Sequence, residues 1–214
     1  MEKFYFISGL GSTKESVQDF EKEINQFGYK VQFIDIPGQY SNRDVKIQCE
    51  QDLIEWLSSE IPNGSNVIAF SMGADIAIRY HSFLQARNLI ILDGGIIDYD
   101  LMNITLEEDI AMTKSYIKEN QLDMNAETIS KLTSLLRDHY IDIFHAGLNT
   151  ETLLLLSDHP DFVYKYKKNK IEANQENMNH IFIQFINDTN HEIYVEKPKE
   201  VVNSIMAWLQ RTDD

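Results

Sequence analysis

The chain has 214 residues, a length that matches one domain and suffices to bury a sizeable core. Its composition, 43% hydrophobic and 11% aromatic, is that of an ordinary globular protein. With 34 acids against 19 bases the formal net charge is −15, which argues against nucleic acid and anionic membrane as partners, because both need a basic patch.

The single cysteine, Cys49, excludes an intrachain disulfide and a cysteine-based zinc site. It falls among Ile47, Leu53 and Leu57 at helical spacing, so a buried, inert thiol is expected. The N-terminal residues run straight into Phe4-Tyr5-Phe6-Ile7 without the apolar region and cleavage site of a signal peptide. No apolar run approaches the ~20 residues of a transmembrane helix. The expectation is a cytoplasmic protein without membrane insertion.

Taken in order, Lys3 to Ser8 reads as an apolar strand ending in the glycine loop Gly9-Leu10-Gly11-Ser12. Thr13 to Phe27 follows as an amphipathic helix stopped by Gly28. Val31 to Ile36 is a second strand, closed by Pro37-Gly38, and a helix is expected over about Asp44 to Ser59. The apolar run Val67 to Phe70 is a third strand, with a helix from Ser71 to about Ala86. Asn88 to Leu92 is a fourth strand ending in Asp93-Gly94-Gly95. Helices are expected over Leu106 to Asn120 and Ala126 to His145, then strands over Thr152 to Leu156 and Ile181 to Ile186. Pro198 opens the closing helix.

Nearly all-apolar strands alternating with helices predict a parallel sheet covered on both faces. No repeat, low-complexity tract or linker divides residues 1–214, so one domain is expected. The stretch at about 98–150 is too long for one crossover helix and reads as an insertion over the sheet's C-terminal edge, where ligands bind in such folds.

The chemistry centres on Ala69-Phe-Ser71-Met-Gly73, lying between an apolar strand and an apolar helix. This is an A-x-S-x-G form of the nucleophile elbow, in which a sharp turn lifts the serine clear of the sheet. A serine two residues before a glycine is more often a plain turn residue, so the elbow needs its context. That context is a strand ending in a glycine loop, a strand ending Asp35-Ile-Pro37-Gly38-Gln-Tyr-Ser41, the elbow, a strand ending near Asp158, and His191 after the last strand.

Together these pieces resemble the α/β-hydrolase superfamily over essentially the whole chain, in the order nucleophile, acid, base. The resemblance implies a three-layer α/β/α sandwich with a mainly parallel six-stranded sheet and a small helical cap. It departs from the family where a usual His-Gly reads Ser8-Gly9 and a usual Gly-His-Gly-x-Ser reads Gly38-Gln-Tyr-Ser41. It implies Ser71 as nucleophile, His191 as base and Asp158 as the orienting acid, with Asp161 and Asp93 as alternative acids. The backbone N–H groups of Leu10 and Met72 would form the oxyanion hole. Of the remaining histidines only His159 sits at the active edge, as a second candidate base or substrate contact.

The implied function is a serine hydrolase cleaving a small carboxylic ester or thioester through an acyl-enzyme, with neither metal nor organic cofactor. The rival is a protein of the same fold that binds a small ligand or partner with little turnover.

Overall fold

Strand sequences that are apolar at every position must be covered on both sides, and the sheet meets that demand. The computed structural model describes residues 2–138 and 140–212. Six strands, β1 (Lys3–Ile7), β2 (Lys30–Ile34), β3 (Asn66–Phe70), β4 (Asn88–Leu92), β5 (Thr152–Ser157) and β6 (Ile181–Ile186), form one sheet in the order β2-β1-β3-β4-β5-β6. Every pairing is parallel.

Successive side chains of a strand point to opposite faces. Val67 and Ala69 of β3, Leu89 and Ile91 of β4 and Leu154 and Leu156 of β5 therefore enter one core. Ile68, Phe70, Ile90, Leu92, Leu153 and Leu155 enter the other. On the first face lie α2 (Glu50–Glu60), α3 (Met72–Arg79) and α6 (Ala126–Asp138), which contribute Leu53, Ile76 and Leu132. On the second lie α1 (Gln18–Asn25), α8 (Ile193–Glu196) and α9 (Pro198–Thr212), which contribute Phe20, Tyr194 and Val202. A short helix, α4 (His81–Leu84), follows α3; α5 (Leu106–Glu119) packs on α6, and α7 (Asp161–Ala173) joins β5 to β6.

Several helices are shorter than their apolar patterns suggest. The first begins at Gln18 because Thr13 to Val17 form turns in which Ser16 N and Oγ bond back to Thr13. The helix after Ser71 divides at Tyr80, whose backbone leaves the helical region at φ −107°, ψ 23°. The helix expected to reach His145 ends at Asp138, and His145 lies instead in a turn whose N–H groups are taken by the Asp142 carboxylate. Cys49 caps α2 and is exposed, which corrects the expectation of a buried thiol. Among the described residues no helix is long and apolar enough to cross a membrane.

β1 and β3 are neighbours although β2 intervenes in sequence, and β2 lies on the other side of β1. The loops after β1 and β3 therefore leave the sheet side by side and open a crevice at its C-terminal edge. The crevice depends on Gly73, where an added Cβ would lie 2.5 Å from the Ser8 carbonyl oxygen and 2.6 Å from that of Ile7. Both obstacles are backbone, so β1 and α3 would have to separate. Gly73→Ala is expected to destabilise the fold by about 1–3 kcal/mol, read from urea unfolding; an unchanged midpoint would contradict this packing.

Candidate active site

Ser71 stands between the end of β3 and the start of α3 with φ 53° and ψ −121°. For a residue with a Cβ this is a sparsely populated backbone region that the surroundings must impose. They do so on three sides. Ser71 N donates to Leu92 O, Ala74 N donates to Ser71 O, and Gly9 brings the β1 loop close enough that an added Cβ would lie 2.9 Å from Ser71 Cβ. The hydroxyl is thereby aimed away from the sheet at the imidazole of His191, with Oγ to Nε2 at 2.9 Å.

His191 lies in the loop between β6 and α8, its ring 4.8 Å from that of Phe70 between centroids. The loop is pinned by its backbone: Asn190 N donates to the Glu196 carboxylate, and Asp188 N and Thr189 N donate to the Asp158 carboxylate. The other ring nitrogen, Nδ1, lies 2.7 Å from Asp93 Oδ2. The carboxylate in contact with His191 is thus that of Asp93, the alternative acid, and not that of Asp158 or Asp161.

The geometry gives the reason. Asp93 directly follows β4, the strand next to β3, and its backbone (φ 43°) turns the carboxylate into the site. Asp158 directly follows β5, one strand further from Ser71, and its oxygens are spent 2.9–3.0 Å from the N–H groups of Asp188 and Thr189. Asp161 is exposed in the first turn of α7. His159 faces Asp158 at 3.8 Å rather than Ser71. Asp158, His159 and Asp188 hold ligand atoms within 4.8 Å of one another, on the surface.

Asp93 is 2% exposed at its side chain, and all its acceptor capacity is used. Oδ1 receives Ser157 N at 2.8 Å and Lys167 Nζ at 2.5 Å; Oδ2 receives Ser157 Oγ at 2.9 Å and His191 Nδ1. Lys167, on α7, is itself fully buried and gives its other protons to Ser157 O and Oγ at 3.1 and 2.8 Å. Burial alone would push the Asp93 carboxyl up. The His191 hydrogen bond and the Lys167 charge outweigh that effect and leave it below the usual carboxylate range. With Asp93 ionised, Nδ1 carries the imidazole proton and Nε2 is left to accept from the Ser71 hydroxyl.

A second buried side chain missed in the sequence reading is Gln39. Its Oε1 accepts from Gly11 N at 2.8 Å, and Nε2 lies 3.0 Å from Ser8 Oγ, 3.1 Å from Gly9 O and 3.3 Å from Ser12 O. One amide therefore braces the whole Gly9–Ser12 loop. Leu10 and Met72 line the same cavity as Ser71, and among the described residues neither N–H is engaged by another group. Such N–H groups are available to a ligand oxygen.

The cavity beside Ser71 and His191 measures about 260 Å³. Leu10, Met72 and Ile97 supply apolar wall; Asp109 and Thr113 of α5 and Thr133 of α6 cover it. Asp75, on α3, also lines it and accepts from Tyr99 Oη at 2.8 Å. Burial pushes the Asp75 carboxyl up to about 6. Burial and that carboxylate push the Tyr99 hydroxyl up, so it remains a donor.

No protein-family profile matches the sequence, and no curated protein matches it. Solved structures do. A carboxylesterase structure from the thaumarchaeon Nitrososphaera gargenis superposes with a TM-score of 0.72 at 14% identity, covering 98% of this chain and 90% of its own. MenH from S. aureus gives 0.68 at 18% identity, over 100% of this chain and 95% of its own. NosK from Streptomyces actuosus gives 0.72 at 13% identity, over 100% and 99%. The six-stranded parallel sheet with helices on both sides is that of the α/β-hydrolases, and the chain has the α/β-hydrolase fold.

The Lys167–Asp93 pair carries a prediction. A carboxylate whose folded pKa is depressed adds stability above its unfolded value, near ~3.9 for Asp, and loses it as pH falls through the folded value. Lys167→Met strands a buried charge and is expected to cost about 3–5 kcal/mol at pH 7. The gap to wild type should narrow near pH 4, where the stranded Asp93 takes up a proton. Urea unfolding at both pH values reads this; a gap equal at the two would contradict it.

Proposed function

We propose that the protein is a serine hydrolase that cleaves a small carboxylic ester or thioester through an acyl-enzyme. The observation that carries this reading is the unbroken relay from Ser71 Oγ to His191 Nε2 at 2.9 Å and from His191 Nδ1 to Asp93 Oδ2 at 2.7 Å. The carboxylesterase among the structures of the same fold supports it.

In the proposed reaction Ser71 Oγ attacks the ester carbonyl carbon while its proton passes to His191 Nε2. Asp93 holds the imidazole in the tautomer that can accept this proton and stabilises the resulting cation without taking the proton itself. The carbonyl oxygen becomes an oxyanion and receives the N–H groups of Leu10 and Met72. Collapse breaks the bond to the leaving alcohol or thiol, which departs with the proton from His191. A water molecule, deprotonated by the same imidazole, then attacks the acyl-serine and releases the acid. The sum is ester plus water giving acid plus alcohol, with Ser71 and His191 restored. The helical stretch at about 98–150 is read as the cap that shields the cavity.

A fluorophosphonate probe is expected to label the wild-type protein stoichiometrically and Ser71→Ala not at all. A p-nitrophenyl ester series should favour short acyl chains, given a cavity of about 260 Å³. Asp93→Asn should lower turnover by roughly 10⁴-fold through the wrong imidazole tautomer, and Asp158→Asn far less. No labelling of a folded wild-type protein would sink the hydrolase reading in favour of ligand binding. A greater loss in Asp158→Asn than in Asp93→Asn would sink the assignment of the acid.

A further inference from the structure

Three carboxylates line the cavity beside Ser71, and two of them have a cation. Asp93 has Lys167 at 2.5 Å, and Asp109 has Arg137 at 2.9 Å. Asp75 forms no ion pair among the described residues; the neutral Tyr99 hydroxyl donates to it, the Gly95 N–H helps to hold its charge, and the His191 imidazole acts on it electrostatically without a direct contact. Arg137 stacks on the Tyr99 ring at 4.9 Å, but its guanidinium is committed to Asp109 and to the carbonyls of Ile104 and Thr105. A partly buried carboxylate whose hydrogen-bond donor is neutral retains part of its desolvation cost, and a cation in the cavity would offset it.

Position makes that cation part of a substrate rather than of the fold. Asp75 lies in the first turn of α3, just beyond the turn that carries Ser71, and the two residues line one cavity of about 260 Å³. A molecule whose carbonyl meets Ser71 Oγ would therefore bring a group a few bonds from that carbonyl against Asp75. Leu10, Met72 and Ile97 on the wall of that cavity suit a short methylene spacer.

We propose that Asp75 is a specificity-determining residue that receives an ammonium group, primary or quaternary, so that the substrates are short cationic esters. This rests on the serine-hydrolase reading of the same site. It extends that reading from a reaction to a substrate class, because a charge-assisted contact in a water-poor cavity discriminates against the neutral isostere.

Two matched pairs test it at pH 8, well above the value of about 6 to which burial raises the Asp75 carboxyl. Ethyl β-alaninate against ethyl butyrate places the charge on the acyl side. Acetylcholine against 3,3-dimethylbutyl acetate places it on the alcohol side. The wild type should prefer the cationic member of at least one pair by about tenfold or more in kcat/KM. In Asp75→Asn, which can still accept from Tyr99, that ratio should collapse towards one; the ratio is the readout, whatever happens to the absolute rates. Asp75→Ser serves as a second removal should the asparagine variant fail to fold. Ratios near one for both pairs in the wild type, or a preference that survives removal of Asp75, overturn the proposal.

If the wild type turns over no member of either pair, fluorophosphonate labelling decides whether the hydrolase reading fails. Calorimetric titration of the wild type with choline and with 3,3-dimethylbutanol then decides the subsite. Selective, saturable binding of choline sustains it, and equal or absent binding of the two overturns it.

Discussion

A single buried carboxylate organises the working edge of this protein. Asp93 gathers donors from three separate parts of the chain: Ser157 at the end of β5, Lys167 on α7 and His191 in the loop before α8. Each donor arrives on a different element, so the carboxylate ties the strand next to β3 to the last third of the sequence. A buried charge left unpaired would be costly, which makes this arrangement close to all-or-none: the elements come together completely or the ion is stranded. Lys167 has a stabilising role in that the charge of Asp93 is compensated before any histidine proton is considered. His191 can then be held by Asp93 while remaining half open to the cavity.

Ser71 is positioned by close approach rather than by charge. Ser71 sits in a backbone region that a residue with a side chain rarely adopts, and the surrounding chain makes that conformation obligatory. Gly73 lets β1 approach α3, and Gly9 lets the β1 loop touch Phe70 and Ser71. The same loop is braced from behind by Gln39, fully buried, which bonds Ser8, Gly9, Gly11 and Ser12 through one amide. This accounts for the Gly38-Gln-Tyr-Ser41 segment, one of the two places where the sequence departs from the pattern of the superfamily it resembles. A glutamine supplies both an acceptor and two donors, and the loop after β1 offers one N–H, one hydroxyl and two carbonyls to meet them.

The cavity joins these two systems and shows an uneven distribution of charge. Lys167 and Arg137 neutralise two of its carboxylates, and Asp75 stands with neutral donors. In a chain of net charge −15 such a carboxylate is easily passed over as one more surface acid. Its place on the first turn of α3, one turn beyond Ser71, is what distinguishes it.

Much of this was legible in the residues themselves. The apolar runs predicted six strands in a parallel sheet, because a strand buried on both faces has no polar alternation to show. Ala69-Phe-Ser71-Met-Gly73 marked the strained turn, and His191 stood out by following the last strand in a polar loop. Helix ends were less legible. Turns at Thr13 to Val17 and the break at Tyr80 depend on hydrogen bonds to side chains distant from the helical pattern or on local backbone geometry. Which carboxylate meets His191 was not decided by sequence at all. Asp93 and Asp158 both end apolar strands and look alike in a linear reading. Only the sheet order, with β4 beside β3 and the loop after β6 folded back over both, brings one of them to the imidazole and leaves the other holding backbone N–H groups. Lys167 carried no signal either, since in its helix it reads as one lysine among several. Sequence alone determined the layers and the elbow, because periodicity and small residues act locally. Tertiary structure decided the partner of every buried charge, because a charge selects its partner by distance in space and not along the chain.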